Sequence, residues 1–177
     1  MKHTQYFKNY LSSINELNLI TKNDYSLKLL YANVITLMES YLMEAFVSTI
    51  KKKKDLIIKV VKSKLFNKHK VTLETAYTNN IEQYIISNVK QIIFHKLYEV
   101  FILYKDVLGI NFKQNGEIIE SIKIRHDIVH RNGKDLMDNT VPVTPNDLDK
   151  LIENMNTFLR EIDLELYDKY YKMQKQL

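Results

Sequence analysis

The sequence predicts an all-α protein, and three observations carry that prediction. Apolar residues recur at helical spacing through four separate stretches. Gly and Pro number only three and two in 177 residues, too few for a sandwich or barrel of short strands. Helix-start residues stand ahead of the periodic stretches. The architecture expected is a helical bundle of four long helices plus a shorter N-terminal one. It forms a single domain over 1–177, with a Lys-rich insertion at about 51–78.

The first helix is read over 4–20, with Tyr6, Tyr10, Leu11, Ile14 and Leu17 on one stripe. Asn23-Asp24 caps a second, longer helix whose stripe runs Leu27, Leu30, Tyr31, Val34, Leu37, Met38, Tyr41, Leu42, Ala45 and Phe46. Leu56-Ile57-Ile58-Lys59-Val60-Val61 fits a short strand or part of a basic helix equally well. Asn79-Asn80, followed by Glu82 and Gln83, opens a third long helix that runs to Gly109. A fourth is expected from Glu117 toward Arg131, closed by Asn132-Gly133. Thr144-Pro145-Asn146-Asp147 starts the last, with Thr as N-cap, Pro at the first helical position and an acid at the third. Leu37, Met38, Leu42, Ile85, Ile92, Ile124, Ile128, Leu151, Met155 and Phe158 are the expected common core.

Composition excludes several function classes. There is no Cys, so disulfides, thiolate metal sites and Cys nucleophiles are out. A hydrophobic fraction of 45% with 27% charged residues belongs to a chain that folds rather than one that stays disordered. No apolar run approaches bilayer length, and the N-terminus reads as polar, so a cytoplasmic protein is expected. The net charge of +5 is concentrated: residues 51–80 hold nine Lys against Asp55 and Glu74. Such a patch suits RNA phosphates, with Lys51, Lys52, Lys53 and Lys54 as its densest part. It is equally read as a solvated helix end. Most of the twelve Tyr fall on buried stripes, so they serve the core rather than base stacking.

The segment that carries chemistry is Ile122-Lys123-Ile124-Arg125-His126-Asp127-Ile128-Val129-His130-Arg131-Asn132-Gly133. At ~100° per residue, Arg125 falls inside the apolar arc of Ile122, Ile124, Ile128 and Val129, with His126 and His130 one turn apart at its edge. A guanidinium among core positions needs a partner or a cleft. One reading is a structural Arg paired with an acid such as Glu39. Another is a metal pair, since His126 and His130 have ligand spacing, although no third ligand is evident.

Arg125-x4-His130, with a polar residue after the Arg and Asn-Gly closing the helix, resembles the R-x4-6-H signature of the HEPN superfamily. The string Ile-Arg-His-Asp-Ile-Val-His-Arg-Asn-Gly is similar to the group called RiboL-PSP-HEPN in particular. Leu37-Met38-Glu39-Ser40-Tyr41-Leu42 on a preceding hydrophobic helix, and the loop and amphipathic helix that follow the motif, extend the likeness over most of residues 25–165. The resemblance implies a helical bundle that dimerises so that two motifs share a cleft. It also implies metal-independent RNA cleavage of the toxin–antitoxin or anti-phage type. On that reading Arg125, His130 and His126 are catalytic, Arg131 and Asn132 join the lysines in RNA binding, and neither metal nor cofactor is needed. The expected partners are RNA, a second copy of the chain, and an antitoxin or larger defence complex. The alternative is a catalytically silent HEPN module or adaptor that binds RNA, nucleotide or a partner protein.

The side chains suit that chemistry. RNA supplies its own nucleophile in the 2′-OH, leaving the protein to provide a proton acceptor, a proton donor and a cation. Imidazole serves proton transfer near neutral pH, and the guanidinium fork grips a phosphate through two hydrogen bonds while staying charged. The products would be a 2′,3′-cyclic phosphate and a 5′-OH.

Overall fold

The structure, a computed structural model, describes residues 2–66, 70–78, 80–113 and 115–172. Lys68, one of the nine lysines of the basic patch, and Asn79 of the third helix's expected start lie outside the described residues. The fold is all-α: the described residues contain no strand, only an isolated antiparallel bridge between Lys134 and Thr140. No helix among them is long and apolar enough to cross a membrane. The chain forms two compact units, Met1–Tyr41 with Lys113–Leu177, and Leu42–Phe112.

The first unit holds α1 (Gln5–Asn18), the first part of α2 (Asp24–Lys52), α7 (Gly116–His130) and α8 (Pro145–Leu166). Local capping sets the helix starts. Thr4 accepts from the Phe7 N–H, and the Asn23 side chain accepts from the N–H groups of Tyr25 and Ser26. Thr144 and Asp147 form a full capping box with Pro145 behind the cap. Both α1 and α7 pack on α8, whose buried stripe is Leu148, Leu151, Met155, Phe158, Leu159, Ile162 and Leu166. Phe7, Tyr10 and Tyr41 add an aromatic cluster with ring centroids 5.8–6.4 Å apart. Burial of Tyr10 raises its phenol well above the usual range.

One polar knot lies inside this apolar packing. Asp163 on α8 is fully buried and accepts from the Thr4 N–H at 3.1 Å, the Thr4 hydroxyl and the Tyr41 hydroxyl at 3.1 Å. Its second oxygen also meets His3 Nδ1 at 2.9 Å. A buried carboxylate is tolerable only when its oxygens are filled in this way. The knot ties the N-terminal arm, α2 and α8 together.

The second unit holds the rest of α2, α3 (Asp55–Lys62), α4 (Leu73–Thr78), α5 (Ile81–Lys90) and α6 (Leu97–Leu103). α6 continues as a π-helical turn, Tyr104–Leu108, which Gly109 ends at φ 63°. Tyr104 is fully buried; its hydroxyl donates to the Leu42 carbonyl at 2.7 Å, and its ring lies between Phe46 and Phe112.

One open sequence reading is settled and two expectations are corrected. The segment 55–62, readable as strand or helix, is a helix that buries Leu56 and Val60 one turn apart. The helix expected from Ile81 to Gly109 is broken at 91–96, where short-range bonds such as Gln91 N–H to Asn88 O replace the α-helical ladder. The break buries Phe94 and leaves Ile93 exposed, whereas an unbroken helix would set Ile93 in line with Ile86 and Val89. Finally, the ten expected core residues do not share one core. Leu42, Ile85 and Ile92 belong to the second unit, and Leu37, Ile85, Ile92, Ile124 and Ile128 are only half-buried.

Candidate active site on α7

Asn115 caps α7 by accepting from the Glu117 N–H at 2.9 Å. At the other end the Asp127 carbonyl accepts from both the Arg131 and Gly133 N–H groups, each at 3.0 Å. Asn132 (φ 54°) and Gly133 (φ 76°) then turn the chain through left-handed conformations that Asn and Gly tolerate best. A Cβ at Gly133 would also meet Lys28 Nζ at 2.8 Å, the movable end of a side chain, so it is the backbone conformation that favours glycine there. The loop folds back as Asp135 accepts from the N–H groups of Met137 and Asn139, leaving Leu136 and Met137 on the surface. The local sequence therefore fixes where the motif helix ends, and with it the exposure of His130 on its last turn.

Only Ile118 and Ser121 of α7 are fully buried; toward its C-terminal end the apolar residues Ile122, Ile124 and Ile128 are half-buried and Val129 is 48% exposed. Around the helix the order is Arg125, Val129, Ile122, His126, His130, spread over about 140°. Arg125 is half-buried. Its Nε is buried with no hydrogen-bond partner, and no ion pair with Glu39 or any other described residue forms. The structural pairing with Glu39 is thus absent among the described residues, and the half-buried Arg125 keeps a buried Nε with no hydrogen-bond partner.

The two histidines form the centre of a second group. Their ring centroids are 4.6 Å apart at 47°. Arg131 Nη1 lies 3.0 Å from His126 Nδ1 and pairs with the Asp127 carboxylate. Guanidinium can only donate, so His126 Nδ1 accepts, and the neutral ring carries its proton on Nε2. Asp127 and Arg131, four residues apart, thereby fix the ring that His130 packs against at a tilt.

Asp127 is the residue sequence reasoning passed over as a site member. The available signal was its position four before Arg131, a spacing that brings acid and base together on a helix. The structure also changes the reading of Arg131: its Nη1 is already engaged within the cluster rather than held open. Asn132 is exposed and shapes the turn. The residues that the structure brings together are His126, Asp127, His130 and Arg131, with Arg125 on the neighbouring side of the same helix.

Lys51 and Lys52 form the last turn of α2, and Lys53 and Lys54 the break before α3. All four are exposed and belong to the second unit; Lys54 pairs with Glu82 at 3.5 Å. Of the net charge, the second unit carries twelve Lys against six acids, whereas the motif-bearing unit has 14 basic residues against 15 acids. Among the described residues no group of three or more His, Cys, Asp or Glu is placed to hold a metal ion.

Compared with family models, curated proteins and solved structures, the chain matches none.

Proposed function

We propose that the protein is a HEPN-type, metal-independent endoribonuclease acting in the cytoplasm in toxin–antitoxin or anti-phage defence, with Arg125 and His130 as catalytic groups. The observation that carries the reading is the surface of α7. It presents Arg125, whose Nε has no partner among the described residues, and a close histidine pair on one arc, of which His126, Val129 and His130 are exposed. Arg125 would grip the scissile phosphate. His130 would take the proton from the 2′-OH as that oxygen bonds to phosphorus. The bond from phosphorus to the 5′-oxygen then breaks, and the leaving oxygen takes a proton from a second imidazole. His126, held by Arg131, keeps His130 in place. Lys51, Lys52, Lys53 and Lys54, with Asn132 and the remaining N–H groups of Arg131, would meet RNA phosphates and position the strand.

The second imidazole is the partner's His130 in a two-fold dimer. Val129 lies between Arg125 and His126 on the arc, and it is exposed, as are Leu136 and Met137 just beyond the helix. A two-fold contact on this face would cover those apolar groups and bring two motifs together. Val129→Asp is expected to give a folded monomer by light scattering and to lose RNA cleavage with the dimer. Full cleavage by a monomer would rule the composite site out.

The decisive experiment incubates the protein with a mixed RNA pool in EDTA, beside His130→Ala, and reads the product ends. Cleavage with 2′,3′-cyclic phosphate ends in the native protein alone is the expected result. RNA binding without cleavage would instead favour the silent binding module. Activity that needs added Mg²⁺ or Mn²⁺ would refute the metal-free route.

A further inference from the structure

A cation and an aromatic ring beside the motif turn take no part in the cleavage chemistry. Lys28 on α2 reaches the turn that closes α7. Its Nζ lies 2.8 Å, and its Cδ and Cε 3.4 and 3.5 Å, from the position a Cβ would take on Gly133. The side chain is half-buried, and among the described residues it makes no ion pair or hydrogen bond. Asp24 stands four residues before it, the spacing at which acid and base pair on a helix, yet the two do not pair. Nor does the ammonium bond to the end of α7. The Asp127 carbonyl already accepts from the Arg131 and Gly133 N–H groups, and Lys28 donates to no other carbonyl there. A half-buried ammonium with its donors open suits an anion that comes from outside the chain.

Helical geometry puts Tyr25 on the same flank of α2. Tyr31, Lys28 and Tyr25 are three residues apart, so each step turns about 60° around the helix and moves about 4.5 Å toward its N-terminus. The row starts buried at Tyr31, which hydrogen-bonds with Ser121 of α7. It passes Lys28 at Gly133 and ends at Tyr25, which is 76% exposed. Asn23 fixes this end of α2 by accepting from the Tyr25 and Ser26 N–H groups at 3.1 and 2.9 Å. An exposed ring and an open ammonium, with Cβ atoms about 5–6 Å apart, suit one unpaired nucleotide, its base on the ring and its phosphate on the cation. A duplex keeps its bases paired and stacked on one another, so it offers the ring nothing.

We infer that Lys28 and Tyr25 form a subsite for an unpaired nucleotide of the RNA strand, beside the α7 motif. The base stacks on Tyr25 and the phosphate meets Lys28. The subsite rests on the reading of α7 as an RNA-cleaving site and narrows its substrate to single-stranded RNA. Neither residue touches the reacting atoms; both position the strand.

The chain contains no Trp, so Tyr25→Trp sets a single indole on this face as a reporter. Combined with His130→Ala in the full-length protein, it is titrated with a mixed-sequence single-stranded RNA and with the same strand in a duplex. Saturable quenching by the single strand is expected, with the duplex at least about fivefold weaker. In the same His130→Ala background, Tyr25→Ala should raise the filter-binding Kd at least about fivefold, whereas Tyr25→Phe keeps the ring and the affinity. Lys28→Gln should lower the log–log salt slope by about 0.7, the share of one phosphate contact on a single strand. With His130 intact, Tyr25→Ala and Lys28→Gln should raise the RNA concentration for half-maximal cleavage and spare the rate at saturation. Circular dichroism checks that each variant keeps native helicity. An unquenched indole, or affinity indifferent to both substitutions, overturns the subsite, and the cleavage reading survives if the native protein still cuts. Quenching and weakened binding in a protein that never cuts RNA uphold the subsite and refute cleavage instead. If Tyr25→Ala turns a dimer into a monomer with RNA affinity unaltered, the ring meets a second copy of the chain and the subsite is wrong.

Discussion

His130→Ala and Arg125→Ala are each expected to lower RNA cleavage by roughly 10²–10³ while leaving the helix content and thermal midpoint near native. His130 is exposed on the last turn of α7, so its removal opens no cavity. Arg125 Nε has no hydrogen-bonded partner to strand among the described residues, although the half-buried side chain gives up some packing. Arg125→Lys keeps the charge but loses the planar fork that matches two phosphate oxygens, and it should recover only part of the rate. His126→Ala should cost less than His130→Ala, because it removes the ring that orients His130 rather than the group that moves the essential proton. Single-turnover rates at saturating RNA, with a filter-binding Kd measured alongside, separate a lost chemical step from lost binding. If Arg125→Ala unfolds the protein, or His130→Ala cuts RNA at the native rate, the assignment of these two residues fails.

The largest effect on stability is expected from Asp163→Ala. Three hydrogen bonds converge on this buried carboxylate from the Thr4 N–H, the Thr4 hydroxyl and the Tyr41 hydroxyl, and His3 Nδ1 lies 2.9 Å away. Alanine would leave donors from α2 and the N-terminal arm without an acceptor in a dry interior. Each stranded donor costs about 1–3 kcal/mol, so a total on the order of 3 kcal/mol or more is expected. For a chain of this size that corresponds to a fall in Tm of roughly 6–12 °C. Tyr41→Phe removes one donor and leaves the carboxylate its other partners, so it should cost only about 1 kcal/mol. Asp163→Asn should fall between the two, since one oxygen can still accept while the amide meets groups that themselves donate. Urea unfolding of the three variants orders them directly. A loss under about 0.5 kcal/mol for Asp163→Ala, the range of ordinary surface changes, would mean that the knot does not hold the arm in place.

The two predictions concern different faces of the same unit and should be independent. Loss of Asp163 acts on the junction of the N-terminal arm, α2 and α8, whereas Arg125 and His130 project from α7. Asp163→Ala should therefore lower activity only as far as it lowers the folded fraction at the assay temperature.

Helix existence was legible wherever the signal is local. Apolar spacing in α1, α2 and α8, the Thr144-Pro145-Asn146-Asp147 start and the Asn132-Gly133 stop are properties of a few consecutive residues, and they produce the same geometry in the folded chain. The same locality placed Arg125, His126 and His130 on one helix ending in one turn. It also contained, unused, the Asp127–Arg131 spacing that turns two neighbouring histidines into a fixed pair.

Other features were decided only by packing at long range. No Gly or Pro marks the break at 91–96. It arises because a turn there buries Phe94 in place of Ile93, a choice that depends on what surrounds the segment. Asp163 stands at the edge of the apolar stripe of α8, four residues after Leu159 and three before Leu166, and only the return of Thr4 and Tyr41 to that point, from 159 and 122 residues away, supplies the partners that make it a buried junction. Arg125 was ambiguous between a structural pair and an open cation, since its helix position is compatible with both. The absence of a partner at its buried Nε is a fact of tertiary placement. Helical period and capping are short-range interactions along the chain and so can be read from it directly. Which buried polar group finds a partner depends on residues that meet only when the chain has folded.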